Sequence, residues 1–127
     1  MIRNIDHINI ATPDLTTTRD FFIKVLGFED GPRPDFGGFP GHWLYCNGRA
    51  LVHLQLARGP AGPSSDSALN HAAFEVADFD AMTARLDQLG IAYGGFTPPG
   101  GGPRQILIHD PNGVALESAS PPNRGRG

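Results

Sequence analysis

Cysteine, lysine and glutamate are nearly missing from this 127-residue chain. The single cysteine, Cys46, excludes a disulfide within the chain and fits a reducing compartment. Lys24 is the only lysine and the arginines are scattered, so at a net charge of −3 no basic field draws nucleic acid or an anionic membrane surface. No run approaches the roughly 18 apolar residues that a membrane helix needs. The opening Met-Ile-Arg-Asn-Ile-Asp has no apolar core of a signal peptide. The expectation is a soluble, cytoplasmic protein whose partner is a small molecule, with no nucleic acid and no membrane. Scarcity also singles out Glu117, one of three glutamates, set among Val114, Ala115 and Leu116. A carboxylate turned inward there needs a cation or a donor, because burying it alone is costly.

What the chain does have is a repeat. Residues 5–15 (IDHINIATPDL) match residues 69–79 (LNHAAFEVADF) at an offset of 64, which lays His7 on His71 and His53 on Glu117. The same shift sets Leu15 over Phe79, Phe22 over Leu86 and Val25 over Leu89, and Asn47-Gly48 meets Asn112-Gly113 after one extra residue. A repeat of this kind fixes the architecture before any other feature. Two half-domains of this size are marginal alone and should pack on each other or on a partner chain.

Residues 4–11 alternate as a strand, with Ile5, His7, Asn9 and Ala11 on one face. Thr12 reads as an N-cap and Pro13 as the first helical position, with a helix to about Leu26 burying Leu15, Phe22, Val25 and Leu26, and Gly27 as its stop. A short strand over 28–31 and a loop over 33–41 precede strands at 42–46 and 49–56, joined by the hairpin signal Asn47-Gly48. The second half predicts a strand at 69–76, a helix at about 79–89 capped by Asp78, a strand at 91–96, a loop at 97–103 and a final hairpin of 104–109 with 114–118. The order βαβββ occurs twice and makes an α+β protein. It reads as a single domain over 1–120, with module one at 1–56, a linker at 57–68 and module two at 69–120, followed by a flexible tail at 121–127.

Strand parity then sets the candidate site. His7 shares a face with Asn9, His53 with Leu51 and Gln55, His71 with Ala73 and Glu75, and Glu117 with Ala115. Three imidazoles and a carboxylate suit one divalent transition metal (Fe, Mn, Co, Ni or Zn) rather than Ca or Mg. His7, His71 and Glu117 are the expected ligands. His53 is either a fourth ligand or an acid–base group, and Glu117 shares that proton-moving role. Trp43, Tyr45, Gln105 and Leu107 fall at positions that can line the cavity beside Asn9, and Arg33 and Arg104 flank loops where they can clamp an anionic group. His42 and His109 carry less weight, the latter opening an Asp-Pro-Asn-Gly turn.

At this point the chain resembles the vicinal oxygen chelate superfamily, through DHINIATPDL followed by FFIKVLGF, NHAAFEVADFDA and HDPNGVALE. The resemblance implies paired βαβββ modules forming a cupped, barrel-like mixed sheet around one central metal, with substrate bound through vicinal oxygens. It also implies that His7, His71 and Glu117 are the common metal triad. His53 stands where glyoxalase I has a second glutamate, so the glutamate pair of its proton shuttle is not reproduced. Gln105-Ile106-Leu107 departs from the hydroxyl-bearing strand of fosfomycin-resistance proteins, and the ligands absent from bleomycin-binding members are kept here. The expected function is a metal-dependent lyase or isomerase of glyoxalase type. The alternatives are a ring-cleaving extradiol dioxygenase with non-haem iron and a non-catalytic drug- or metabolite-binding protein. A homodimer is expected, with its sites within one chain or shared.

Overall fold

The computed structural model describes residues 1–121. The expected tail therefore lies almost wholly outside the described residues. The chain forms two compact units, Met1–Gly62 and Pro63–Gly127. Each is a βαβββ unit with one four-stranded mixed sheet and one helix, which is the α+β class read from the sequence. No helix among the described residues is long and apolar enough to cross a membrane.

In the first unit β1 (Ile8–Thr12), α1 (Leu15–Leu26), β2 (Glu29–Gly31), β3 (Gly41–Cys46) and β4 (Arg49–Leu56) give the sheet order β1-β4-β3-β2. The parallel β1–β4 pair is linked through the helix, and β3 and β4 are a hairpin turned by Asn47 and Gly48, both at positive φ (51° and 75°). That is the turn whose twist matches its strands, and it explains the Asn-Gly pair. Phe22 of α1 and Leu44 and Val52 of the sheet are fully buried, with Leu54 at 1% exposure, and Phe22 meets Phe28 edge-on at 5.5 Å. Each such side chain contributes about 1.5–3 kcal/mol by leaving water.

In the second unit β5 (His71–Glu75), α2 (Phe79–Gln88), β6 (Gly94–Phe96), β7 (Gln105–His109) and β8 (Ala115–Ala119) repeat the order as β5-β8-β7-β6. Its core holds Leu86, Ile106, Ile108, Ala115 and Leu116. The repeat extends to hydrogen-bond register. Asn9↔His53 becomes Ala73↔Glu117 and Trp43↔His53 becomes Leu107↔Glu117, both at the 64-residue offset.

Several local expectations are corrected. The first strand begins at Ile8, so His7 precedes it, and it runs through Thr12, which pairs with Leu56. Thr12 is therefore not the N-cap. Asp14 caps α1 through Thr17 N, as Asp78 caps α2 through Ala81 N, while the buried Thr12 hydroxyl bonds Thr18 and accepts from Asp14 N. Leu15 and Leu26 are partly rather than fully buried. Within residues 57–68, Ala57 N bonds Thr12 O and Ser64 N bonds Gly113 O. A single 3-10 turn, Ser64–Asp66, already belongs to the second unit.

Candidate functional site

Burial decides which face of each sheet is available. On β4, Val52 and Leu54 go into the core, so His53 and Gln55 take the opposite face. On β8, Leu116 and Ser118 are buried and Glu117 takes the opposite face. Both β4 and β8 are interior strands, held on two sides by ladders, which fixes the Cα of His53 and Glu117 more firmly than any loop would.

In the first unit His53 is sandwiched. Its imidazole stacks on that of His7 at 3.7 Å and on the Trp43 indole at 4.1 Å, each pair 12° from parallel. Burial, and then the neighbouring His7, hold the His53 imidazole below its ordinary pKa of 6.5. At neutral pH it is an uncharged ring with a lone pair to give to a metal or a proton. His7 Nδ1 donates to Asp6 Oδ2 at 2.7 Å, and this hydrogen bond is the main reason the Asp6 carboxyl lies below its ordinary value.

In the second unit His71 Nδ1 donates to Asn70 Oδ1 at 2.9 Å, and Asn70 is oriented by donating its own amide to Ser65 O. Asp6 and Asn70 are themselves equivalent at the 64-residue offset. The same device thus occurs twice: the residue before each histidine takes up Nδ1–H, fixes the tautomer and leaves Nε2 as the donor atom. This is how metal-bound histidines are usually oriented. His71 Nε2 faces Glu117 Oε2 at 3.6 Å. Two donors on one cation, with bonds of about 2.0–2.2 Å, stand roughly 3.0–3.5 Å apart, so this pair suits a shared divalent ion with little adjustment. All four residues fit a metal in donor type, and the His71–Glu117 pair fits one in orientation as well. They stand as two pairs, His7 with His53 and His71 with Glu117, and among the described residues no three His, Cys, Asp or Glu side chains gather as a ligand set.

A cavity of about 310 Å³ opens beside His53, lined among others by Asn9, Arg33, Phe36, Phe39 and Trp43. Asn9 Nδ2 donates to Gln55 Oε1 at 2.8 Å along its wall. The remaining expected residues are distributed otherwise. Tyr45 lies away from this cavity, its hydroxyl donating to Pro32 O at 2.6 Å. Arg104 and Gln105 line a different cavity of about 370 Å³ with Phe79, Tyr93 and Phe96, where Arg104 pairs with Asp80 at 2.9 Å and stacks on Phe79. Leu107 lies opposite Glu117 across the β7–β8 ladder. His42 is engaged by Asp30 at 3.1 Å, and the exposed His109 ends β7. Sequence reasoning missed Asp6, Asn70 and Phe36. The first two carried a usable signal, a polar residue before each repeated histidine.

The family model described as Glyoxalase/Bleomycin resistance protein/Dioxygenase superfamily matches residues 4–118. Glyoxylase I 4 from Arabidopsis thaliana is 28% identical over 122 residues, covering 91% of this chain and 70% of that protein. Among solved structures, a Bacillus anthracis protein of the glyoxalase family superposes with a TM-score of 0.79 at 24% identity, covering 94% of this chain and 96% of the other. The fosfomycin resistance protein FosX from Listeria monocytogenes superposes at 0.74 with 19% identity and 95% coverage of each chain. These two likenesses are of fold.

Proposed function

For a chain that belongs to the Glyoxalase/Bleomycin resistance protein/Dioxygenase superfamily, we propose a metal-dependent lyase or isomerase of glyoxalase type, acting on a small substrate through two adjacent oxygens. The observation that carries this reading is the His71 Nε2–Glu117 Oε2 pair at 3.6 Å, with Nδ1 of His71 held by Asn70 and the same device repeated at Asp6 and His7. The plant relative, which is named as a glyoxylase, supports the same class. His7, His71 and Glu117 would hold one divalent cation, drawn from one chain or shared between two, and His53 stands at the repeat position of Glu117. The cation, when bound, supplies Lewis-acid polarisation of the substrate oxygens. Glu117 and His53 are the groups of this chain able to take a proton from the adjacent carbon and return it, and burial keeps His53 in the neutral form that this requires.

A second reading, a ring-cleaving dioxygenase, is favoured by one feature. His53 is stacked between His7 and Trp43 rather than facing a carboxylate, which suits an acid–base group beside a two-histidine, one-carboxylate iron site. Metal analysis of protein purified without added metal, followed by oxygen uptake with a catechol panel, separates the two. Zinc, nickel or manganese without uptake supports the lyase or isomerase, and iron with uptake supports the dioxygenase. A protein that takes up no stoichiometric metal on titration, yet binds ligand saturably, is a binding protein and sinks both.

The assembly that goes with this reading is a homodimer, and a clean monomer by light scattering removes it. Co-expression of a His7→Ala chain with a Glu117→Ala chain then locates the site. Activity in a verified heterodimer assigns it to two chains, and no activity assigns it to one.

A further inference from the structure

We propose that the cavity beside His53 selects a small carboxylate with a flat, conjugated body, its anionic end held by Arg33. The proposal rests on the metal-site reading for its chemistry and adds the substrate class.

Arg33 differs from Arg19 and Arg104 in what it touches. Arg19 is paired with Asp20 at 3.1 Å and Arg104 with Asp80 at 2.9 Å, whereas no carboxylate pairs with Arg33 among the described residues. Its guanidinium is nevertheless held in place. Nη1 donates to Phe39 O at 2.9 Å, and the guanidinium carbon lies 4.8 Å from the centre of the Phe36 ring. Nη2 rests over Gly41, where a Cβ would come within 2.8 Å of it. A carbonyl and an aromatic ring orient the fork but do not neutralise it. The charge is therefore presented, in a fixed direction, to the cavity that opens beside His53.

A guanidinium fork is matched by the two oxygens of a carboxylate. Three aromatic side chains share the lining: Trp43, Phe36 and Phe39 supply flat faces, with the Trp43 and Phe36 ring centres 6.4 Å apart. Asn9 and Gln55 bond to each other through one atom each, which leaves Gln55 Nε2 to donate to a second oxygen function. At about 310 Å³ the cavity is at the small end of ligand sites, which run to about 1,000 Å³, and this limits the body to about one ring.

Trp43 is the only tryptophan, so its emission reports occupancy directly. The experiment titrates the purified, metal-loaded protein with benzoate, cyclohexanecarboxylate and benzamide, following Trp43 emission and calorimetry. Benzoate should bind about ten- to a hundredfold more tightly than neutral benzamide, with cyclohexanecarboxylate between them. Arg33→Gln should abolish the preference and Arg33→Lys keep part of it, with metal content and far-ultraviolet dichroism unchanged in both. Benzamide binding as well as benzoate, or benzoate binding unchanged in Arg33→Gln, overturns the proposal. Cyclohexanecarboxylate matching benzoate overturns the flat body. Failure here is distinguishable from failure of the metal-enzyme reading: a protein that binds no metal but keeps the Arg33-dependent preference defeats that reading alone. One that binds metal without any anion preference defeats this one alone.

Discussion

The imidazoles of His7 and His53 lie face to face, 3.7 Å between centres and 12° from parallel, although 46 residues separate them in the chain. A positive charge on one ring disfavours a charge on the ring stacked against it. The depressed basicity of His53 is the visible result, with burial its larger cause and His7 the next. The stack also limits rotation of both rings. His7 is fixed a second time by Asp6, which leaves its Nε2 as the only nitrogen free to coordinate.

Removing the groups that orient the histidines should therefore cost metal without costing the fold. Asp6→Ala and Asn70→Ala each take away the acceptor at Nδ1, and both residues are exposed. Each should weaken divalent-metal binding by about 10–100-fold in competition with a chromophoric chelator, while dichroism stays as in the wild type. Unchanged affinity in both variants would disconnect this hydrogen-bond device from any metal.

His53 offers a sharper division. His53→Ala should lower turnover by about 10²–10⁴-fold, as loss of an acid–base group does. Metal content of the same variant assigns the role: metal lost makes His53 a ligand, and metal kept makes it the proton carrier. His53→Glu places at this position the carboxylate that Glu117 supplies in the second unit, and should bind metal at least as tightly as the wild type. Full metal and full activity in His53→Ala would leave the residue no part in either.

Much of this was legible because the two units repeat so closely. The offset of 64 foretold the βαβββ order twice over, and with it the shared register of His53 and Glu117. Where the reading of the first unit failed, the second held the correct answer. Thr12 looked like a helix cap by residue type alone, but the β1–β4 ladder extends through it, and the true cap, Asp14, is the repeat partner of Asp78. Burial within the helices was less legible, since Val25 is 5% exposed whereas its equivalent Leu89, past the end of the shorter α2, is 47% exposed. The aromatic clamp on Arg33 lay beyond sequence altogether. It depends on how residues 33–41 return across Gly41, and no periodicity encodes a loop path.

The cap at Asp14 also sets an acid limb of stability. Hydrogen bonds from the Thr17 backbone and hydroxyl hold its carboxyl below the ordinary value of 3.8. The unfolded chain therefore takes up this proton before the folded one does. The contribution is complete above 3.8 and is lost as pH falls through the lower folded value. Asn caps a helix about as well as Asp but does not titrate. Urea midpoints should thus fall with acid more steeply for the wild type than for Asp14→Asn in that window. Parallel pH profiles would show that Asp14 contributes nothing to the acid limb.

Ser64 carries the last expectation, because one hydroxyl there ties the start of the second unit to the site. Its Oγ donates to Asn70 O at 2.7 Å and accepts from Ala115 N at 2.8 Å, so it joins the 3-10 turn both to the residue before His71 and to the first residue of β8. Ser64→Ala removes both bonds and leaves the N–H of Ala115, a residue 2% exposed, without its partner. The cost should be about 1–3 kcal/mol in urea unfolding. Metal affinity should fall as well, since Asn70 then loses one of the contacts that aim its Oδ1 at His71. Ser65→Ala is the control: Ser65 serves Asn70 only through its main-chain oxygen, which alanine keeps. Equal stability and equal metal binding in the two variants would break the proposed link from the turn through Asn70 to His71.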